Sequence, residues 1–171
     1  MASTLKVADA LKNPGQEYPF TADAQIEEME VFGDPVRFEN VAVKGSYVGS
    51  GETVSIDAIA TATVISRCAR CLEEVRLDIT AEMNAEFARQ PDPENPDLYC
   101  FEASTLELTD AIRDALVLEL PMRFICKEDC KGLCSKCGTN LNTGSCTCQK
   151  GEDDLNPFAA LRSIVQNNEE V

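Results

Sequence analysis

Residues 53–88 read TVSIDAIATATVISRCARCLEEVRLDITAEMNAEFA, and this stretch decides the fold. From Thr53 to Ser66, Val54, Ile56, Ala58, Ala60, Ala62 and Val64 fall at every second position. From Glu74 to Ala88 the alternation is cleaner still. Val75, Leu77, Ile79, Ala81, Met83, Ala85 and Phe87 face one way, and Arg76, Asp78, Thr80, Glu82, Asn84 and Glu86 face the other. Successive side chains of a strand point to opposite faces, so two such runs predict an antiparallel sheet with one buried and one wet face. Cys68-Ala-Arg-Cys71 falls at the turn between them.

Upstream, Val36 and Phe38 open a further strand-like run, and Val41, Val43, Gly45 and Tyr47 continue it one step out of phase. That slip predicts a bulge or bend near Asn40, and Gly49-Ser50-Gly51 reads as a hairpin signal. Before Pro35 the chain is weakly patterned. Val7, Ala10 and Leu11 fit one turn of a helix face ahead of the breaker Asn13-Pro14-Gly15, and Asp34-Pro35 reads as a turn.

Downstream, Gln90 to Asp97 holds three prolines and three acids, a surface loop, and Leu98 to Phe101 reads as a short strand. Thr109 is placed as an N-cap with Asp110 in the first turn. Ile112, Ala115, Leu116 and Leu120 then form the apolar stripe of a helix that Pro121 stops. Near the C-terminus, Asn156-Pro157 starts a short amphipathic helix carrying Phe158, Leu161, Ile164 and Val165. No internal repeat is visible.

The chain has 171 residues, 30 acidic against 15 basic, a formal charge of −15, nine cysteines, and neither histidine nor tryptophan. This length suits one domain, or one with a small appendage. Without histidine there is no Ser-His or Cys-His catalytic pair and no His-ligated metal. No run approaches the roughly 20 apolar residues of a membrane span. The first 20 residues lack the apolar core of a secretory signal, so the expected location is the cytoplasm.

In that reducing compartment, paired cysteines are metal ligands more often than disulfides, and an odd total fits a disulfide framework poorly. Export of the chain would instead favour four disulfides. Eight cysteines form four close pairs: Cys68 and Cys71, Cys126 and Cys130, Cys134 and Cys137, Cys146 and Cys148. Zinc takes four soft ligands in a tetrahedron, and close pairs supply two from one turn. Cys134-x-x-Cys137-Gly138 has the shape of a zinc knuckle, and a short loop returns Cys146 and Cys148 to it. This groups those four together and leaves Cys68, Cys71, Cys126 and Cys130 to meet across the fold. A competing partition joins Cys126, Cys130, Cys134 and Cys137 locally. One or two structural zinc sites are expected, because a catalytic zinc keeps a position open for water. A thioredoxin-like reading of Cys68 and Cys71 needs a βαβ setting that the flanks lack. Cys100, between Tyr99 and Phe101, is expected as a small buried core residue.

The fold class expected is therefore α+β: an antiparallel β-sheet covered by one main helix over Thr109–Leu120, with zinc-stapled cysteine-rich loops and a short C-terminal helix. Residues 1–125 form the sheet-plus-helix core, 126–150 the zinc-binding segment, and 151–171 an acidic linker with the terminal helix.

Charge bears on partners. Met122 to Lys150 carries +3 and the rest of the chain −18. Eight thiolates with two zinc ions would take the formal charge from −15 to about −19. General attraction to nucleic acid is thereby excluded, since phosphate binding needs a basic face. Arg67, Arg70, Arg123, Lys127, Lys131 and Lys136 form the one candidate patch for RNA or a partner. Offsetting thiolate charge is the plainer role for such residues. Strongly basic proteins are easier partners for this chain.

CARCL after the long alternating strand, LELP closing the helix, KEDCKGLCSKCGTNLNTGSCTC and NPFAALRSIV together resemble the YceD family of large ribosomal RNA subunit accumulation proteins, over roughly residues 15–165. The resemblance implies that Cys68 and Cys71 pair with Cys126 and Cys130. It makes Cys134, Cys137, Cys146 and Cys148 a lineage-specific addition. It also implies support of large-subunit ribosomal RNA in bacteria and plastids, a gene neighbouring that of a small zinc-ribbon ribosomal protein, and no enzymatic activity. The expected function is a non-catalytic zinc-binding factor supporting 23S rRNA accumulation by binding a basic ribosomal or assembly protein, with no membrane and no small-molecule substrate. Direct rRNA binding by the basic zinc loops is one alternative. A thiol-based redox or zinc-sensing switch, which needs exposed low-pKa thiols, is another.

Overall fold

A computed structural model of the chain describes residues 3–148. Two compact units divide it, Met1–Cys130 and Lys131–Val171. In chain order the first contains β1 (Thr4–Lys6), α1 (Ala8–Lys12), β2 (Glu17–Asp23), β3 (Met29–Val31), β4 (Asp34–Ser50), β5 (Thr53–Arg67), β6 (Glu74–Ala88), β7 (Tyr99–Cys100), β8 (Thr105–Glu107) and α2 (Thr109–Leu118). Strands run in the order β2-β4-β5-β6-β7, with β3 also on β4 and with β1 and β8 in a separate ribbon. All pairings are antiparallel except β6 with β7, which is parallel.

The alternation in residues 53–88 becomes two strands in unbroken register from Thr53↔Ala88 to Arg67↔Glu74. Val54 stands opposite Phe87, Ile56 opposite Ala85, and Ala58 opposite Met83. Large thus lies beside small, and Val54, Ile56, Val64, Met83 and Phe87 are fully buried, each worth about 1.5–3 kcal/mol in apolar transfer. On β4 the register shifts between Glu39 and Ala42, at the predicted bulge, where Asn40 is left-handed. At the far end of β4, α1 packs close. A Cβ on Gly49 would sit 2.5 Å from the Ala10 carbonyl carbon, so glycine is required there.

Four expectations need correction. Asp34 and Pro35 open β4, paired with Val31 and Glu30, and the turn falls on Phe32 and Gly33 instead. One main helix does not cover the sheet. The described residues are mostly antiparallel sheet with two short helices. At 1.5 Å per residue α2 spans about 15 Å, whereas β6 spans about 50 Å at roughly 3.3 Å per residue. Helix α2 buries Ala111, Ile112 and Leu116, while Leu77, on the intended core face, stays 39 % exposed. Thr109 is not the cap. Leu108 holds that position, and the Thr109 hydroxyl accepts the Ser3 N–H at 3.2 Å instead. Cys100 is exposed, because strand alternation places it opposite buried Phe101.

Strands β2 and β3 were not legible. Pro19 interrupts β2 and is tolerated because this strand lies at the sheet edge. The helix expected near Phe158 lies outside the described residues. Among those described, no helix is long and apolar enough to cross a membrane.

Candidate metal centres

The β5–β6 connection is a six-residue turn, Cys68 to Glu73. Its ends are joined by Cys68 N–H to Glu73 O at 2.8 Å, and Leu72 N–H donates to Cys68 O at 2.9 Å. The Arg70 N–H points at Cys68 Sγ, 3.5 Å away. Beyond α2 the chain returns to this turn, where the Ala69 N–H donates to Phe124 O at 2.8 Å. That contact delivers Cys126 and Cys130. Cys71 Sγ lies 3.6 Å from Cys126 Sγ, and Cys68 Sγ lies 3.9 Å from Cys130 Sγ. All four sulfurs are within 4.8 Å of one another. A tetrahedral zinc with bonds of about 2.3 Å separates its sulfurs by about 3.8 Å, so the cage has the size the ion needs. The same spacing is far from a disulfide bond of about 2.05 Å.

Cys68, Cys71 and Cys130 are buried and Cys126 is half-buried. Burial pushes the Cys68 thiol up, but N–H groups of Cys126, Arg70 and Cys71 around its sulfur outweigh this and bring it down to about 6. The Glu73 N–H pulls Cys71 down, yet burial and the neighbouring sulfurs push it up to about 12. Burial and Cys130 also raise Cys126. Four thiols crowded together cannot all ionise alone; a divalent cation resolves this by displacing the remaining protons.

In the second unit, Cys134, Cys137, Cys146 and Cys148 form another group within 4.8 Å. Its turn repeats the first: Gly138 N–H to Cys134 O at 2.9 Å, and Cys134 N–H to Thr139 O at 2.8 Å. The returning loop is held by Leu141 N–H to Gly132 O at 2.9 Å and Gly144 N–H to Asn140 O at 3.0 Å. Cys137 is exposed and the other three are half-buried. N–H groups of Cys137 and Lys136 lower Cys134 to about 6. The Cys137 sulfur and burial push Cys148 up to about 12.

The eight paired cysteines are thus brought together as two groups of four, each able to hold a metal ion. Cys126 and Cys130 belong to the cross-fold group, not to a local one with Cys134 and Cys137. The candidate basic patch is less uniform. Arg67, Arg70, Arg123 and Lys127 lie in the first unit, and Lys131 and Lys136 in the second. Lys127 Nζ is 3.9 Å from Asp129. The Arg70 NH1 nitrogen donates to the carbonyls of Glu128 and Cys130, each at 3.1 Å. No sequence signal separated Arg70 from the other cations, since these acceptors are backbone atoms 58 and 60 residues away.

A family model, Large ribosomal RNA subunit accumulation protein YceD, matches residues 56–165. An uncharacterized protein of Mycobacterium leprae is 34 % identical over 95 residues, 53 % of this chain and 44 % of its own. The chloroplastic Large ribosomal RNA subunit accumulation protein YCED homolog 1 of Arabidopsis thaliana is 39 % identical over 70 residues, 40 % of this chain and 22 % of its own. The match therefore spans less than half the length of either. The Bacillus subtilis protein YlbN is 25 % identical over 161 residues, 92 % of this chain and 93 % of its own. No solved structure matches the chain. The family match begins inside β5 and runs past Cys148, so what the model recognises takes in both sulfur groups and helix α2: this chain belongs to the YceD family of large ribosomal RNA subunit accumulation proteins.

Proposed function

We propose that this protein is a non-catalytic zinc-binding factor of the cytoplasm that supports 23S rRNA and large-subunit accumulation by docking a basic ribosomal or assembly protein. The observation that carries the reading is sulfur closure. Each group offers four cysteine sulfurs that could hold a metal ion, and a metal held by all four has no coordination position left for a substrate or an activated water, so it serves shape rather than reaction. Cys68, Cys71, Cys126 and Cys130 would hold one zinc, and Cys134, Cys137, Cys146 and Cys148 a second. Zinc bound there supplies cross-linking only.

Charge supports the kind of partner. On the wet face of β6, Glu74, Asp78, Glu82 and Glu86 are exposed, and Arg76 is already paired with Glu39 and Glu74. With 30 acidic residues against 15 basic, such a face attracts cationic proteins and repels bulk RNA. Arg70 and Lys127 are engaged within the chain. A pull-down after nuclease treatment tests this. Ribosomal proteins retained by the wild type, and lost when Asp78, Glu82 and Glu86 are changed to Lys, support it. Loss of every ribosomal partner on nuclease treatment sinks it in favour of direct RNA contact through Arg67, Arg123, Lys131 and Lys136.

A further inference from the structure

The two halves of the first sulfur group are built differently. Cys68 and Cys71 sit on a turn that closes itself, with its own amides bonded to its own carbonyls and to a sulfur. Cys126 and Cys130 are separated by three residues instead of two, and the internal backbone bond of that loop is Cys130 N–H to Lys127 O at 3.1 Å. Backbone contacts bring the loop to the first half, Ala69 N–H to Phe124 O at 2.8 Å and the Cys126 N–H at the Cys68 sulfur, and a side chain from that half then grips its far end. Both hydrogens of one Arg70 nitrogen, NH1, are spent on it, on Glu128 O and Cys130 O.

Resting on the reading of this group as a zinc site, we infer that Arg70 is its latch. The guanidinium holds the Cys126–Cys130 loop closed, so one of the two residues between the knuckle cysteines positions the two ligands on the far side. Charge adds to the geometry. Four thiolates around a divalent ion carry a net −2, and a guanidinium bridging the ligand loop offsets half of it. Lysine substitutes poorly, because its ammonium ends one bond short of NH1 and so falls short of the two carbonyls. Outer contacts of this kind are worth about 10- to 100-fold in metal affinity. This assignment also takes Arg70 out of the set of cations free for RNA phosphate.

The test uses the full chain carrying Cys134→Ser and Cys137→Ser, so that zinc reports on the first group alone, with release to a coloured chelator followed over time. Arg70→Ala is expected to weaken zinc retention about 10-fold or more. Arg70→Lys, which keeps the charge, is expected to show most of the same loss. Methylguanidinium at millimolar concentration is expected to slow release from Arg70→Ala and leave the parent unchanged, which a general loss of packing would not produce. In the chain with both groups intact, zinc release from the second group is expected to be the same with and without Arg70. Parental retention in Arg70→Ala overturns the latch and leaves the zinc reading standing, as does full retention in Arg70→Lys should Arg70→Ala give no folded protein. A parent that binds no zinc overturns both.

Discussion

In the Cys68–Glu73 turn, Leu72 N–H reaches Cys68 O at 2.9 Å, and in the Cys134–Thr139 turn, Gly138 N–H reaches Cys134 O at the same 2.9 Å. The closing bonds, Cys68 to Glu73 and Cys134 to Thr139, are both 2.8 Å. Each fifth residue is left-handed, Leu72 at φ 62° and Gly138 at φ 72°. One backbone device is therefore built twice, and its surroundings differ. The first sits on a long hairpin and finds its remaining sulfurs 55 and 62 residues away. The second completes its group within residues 134–148. Closing a long loop removes more freedom from the unfolded chain than closing a short one. The same chemistry is thus a staple of the tertiary fold in one place and a self-contained module in the other. The residue at position five shows the same divide. Glycine serves the local module at little strain, whereas Leu72, 60 % exposed, is held where an L-residue costs roughly 1–2 kcal/mol. Only a surrounding fold that fixes the turn from both sides sustains that.

The sharpest way to break this contrast is to remove each group in turn. Changing Cys68 and Cys126 to Ser is expected to cost on the order of 5 kcal/mol, since metal-binding energy here is folding energy. The main melting transition falls by more than about 15 °C. Changing Cys134 and Cys137 to Ser is expected to remove one equivalent of zinc by elemental analysis and move that transition by less than about 2 °C. Equal losses from both pairs would abolish the distinction between staple and module.

Exchanging the fifth residues sharpens the comparison at smaller scale. Gly138→Leu imposes the left-handed penalty on a turn with little tertiary support, and is expected to weaken zinc at the second group by about 1–2 kcal/mol, roughly 5- to 30-fold in chelator competition. Leu72→Gly relieves the penalty but frees the unfolded chain, so its net gain is expected below about 1 kcal/mol in urea melts. A Leu72→Gly chain that is less stable than the parent would mean that this exposed side chain has a packing role after all.

A separate test concerns pH in chelator-treated protein. Cys68 and Cys134 are held near 6 against an ordinary 9.0. An acid with a lowered value stabilises the fold above its ordinary value and loses that contribution as pH falls towards its folded one. Cys71 and Cys148, raised to about 12, act in the opposite sense and only above 9. Urea midpoints are therefore expected to fall from pH 9 to pH 6, and changing Cys68 and Cys134 to Ser is expected to flatten that slope. An unchanged slope would remove the amide-to-sulfur bonds from the account of both turns.

The long strands were legible because alternation is a local property. Burying one face of a pleated strand requires apolar residues at every second position whatever the rest of the chain does, and the slip at Asn40 is written the same way. Strand β2 was not, because seven residues interrupted by Pro19 carry too little pattern and owe their place to pairing with β4. Cys100 was misplaced because flanking aromatics say nothing about which face of a two-residue strand a side chain takes. By itself the amino-acid order determined the sheet, its bulge and the presence of eight paired thiols suited to soft cations. Spacing already favoured the division of those thiols that the fold adopts, whereas tertiary structure alone decided which arginine is bound to the chain and where a leucine tolerates a left-handed backbone. Each of these depends on distances between atoms tens of residues apart, and such distances exist only once the chain has folded.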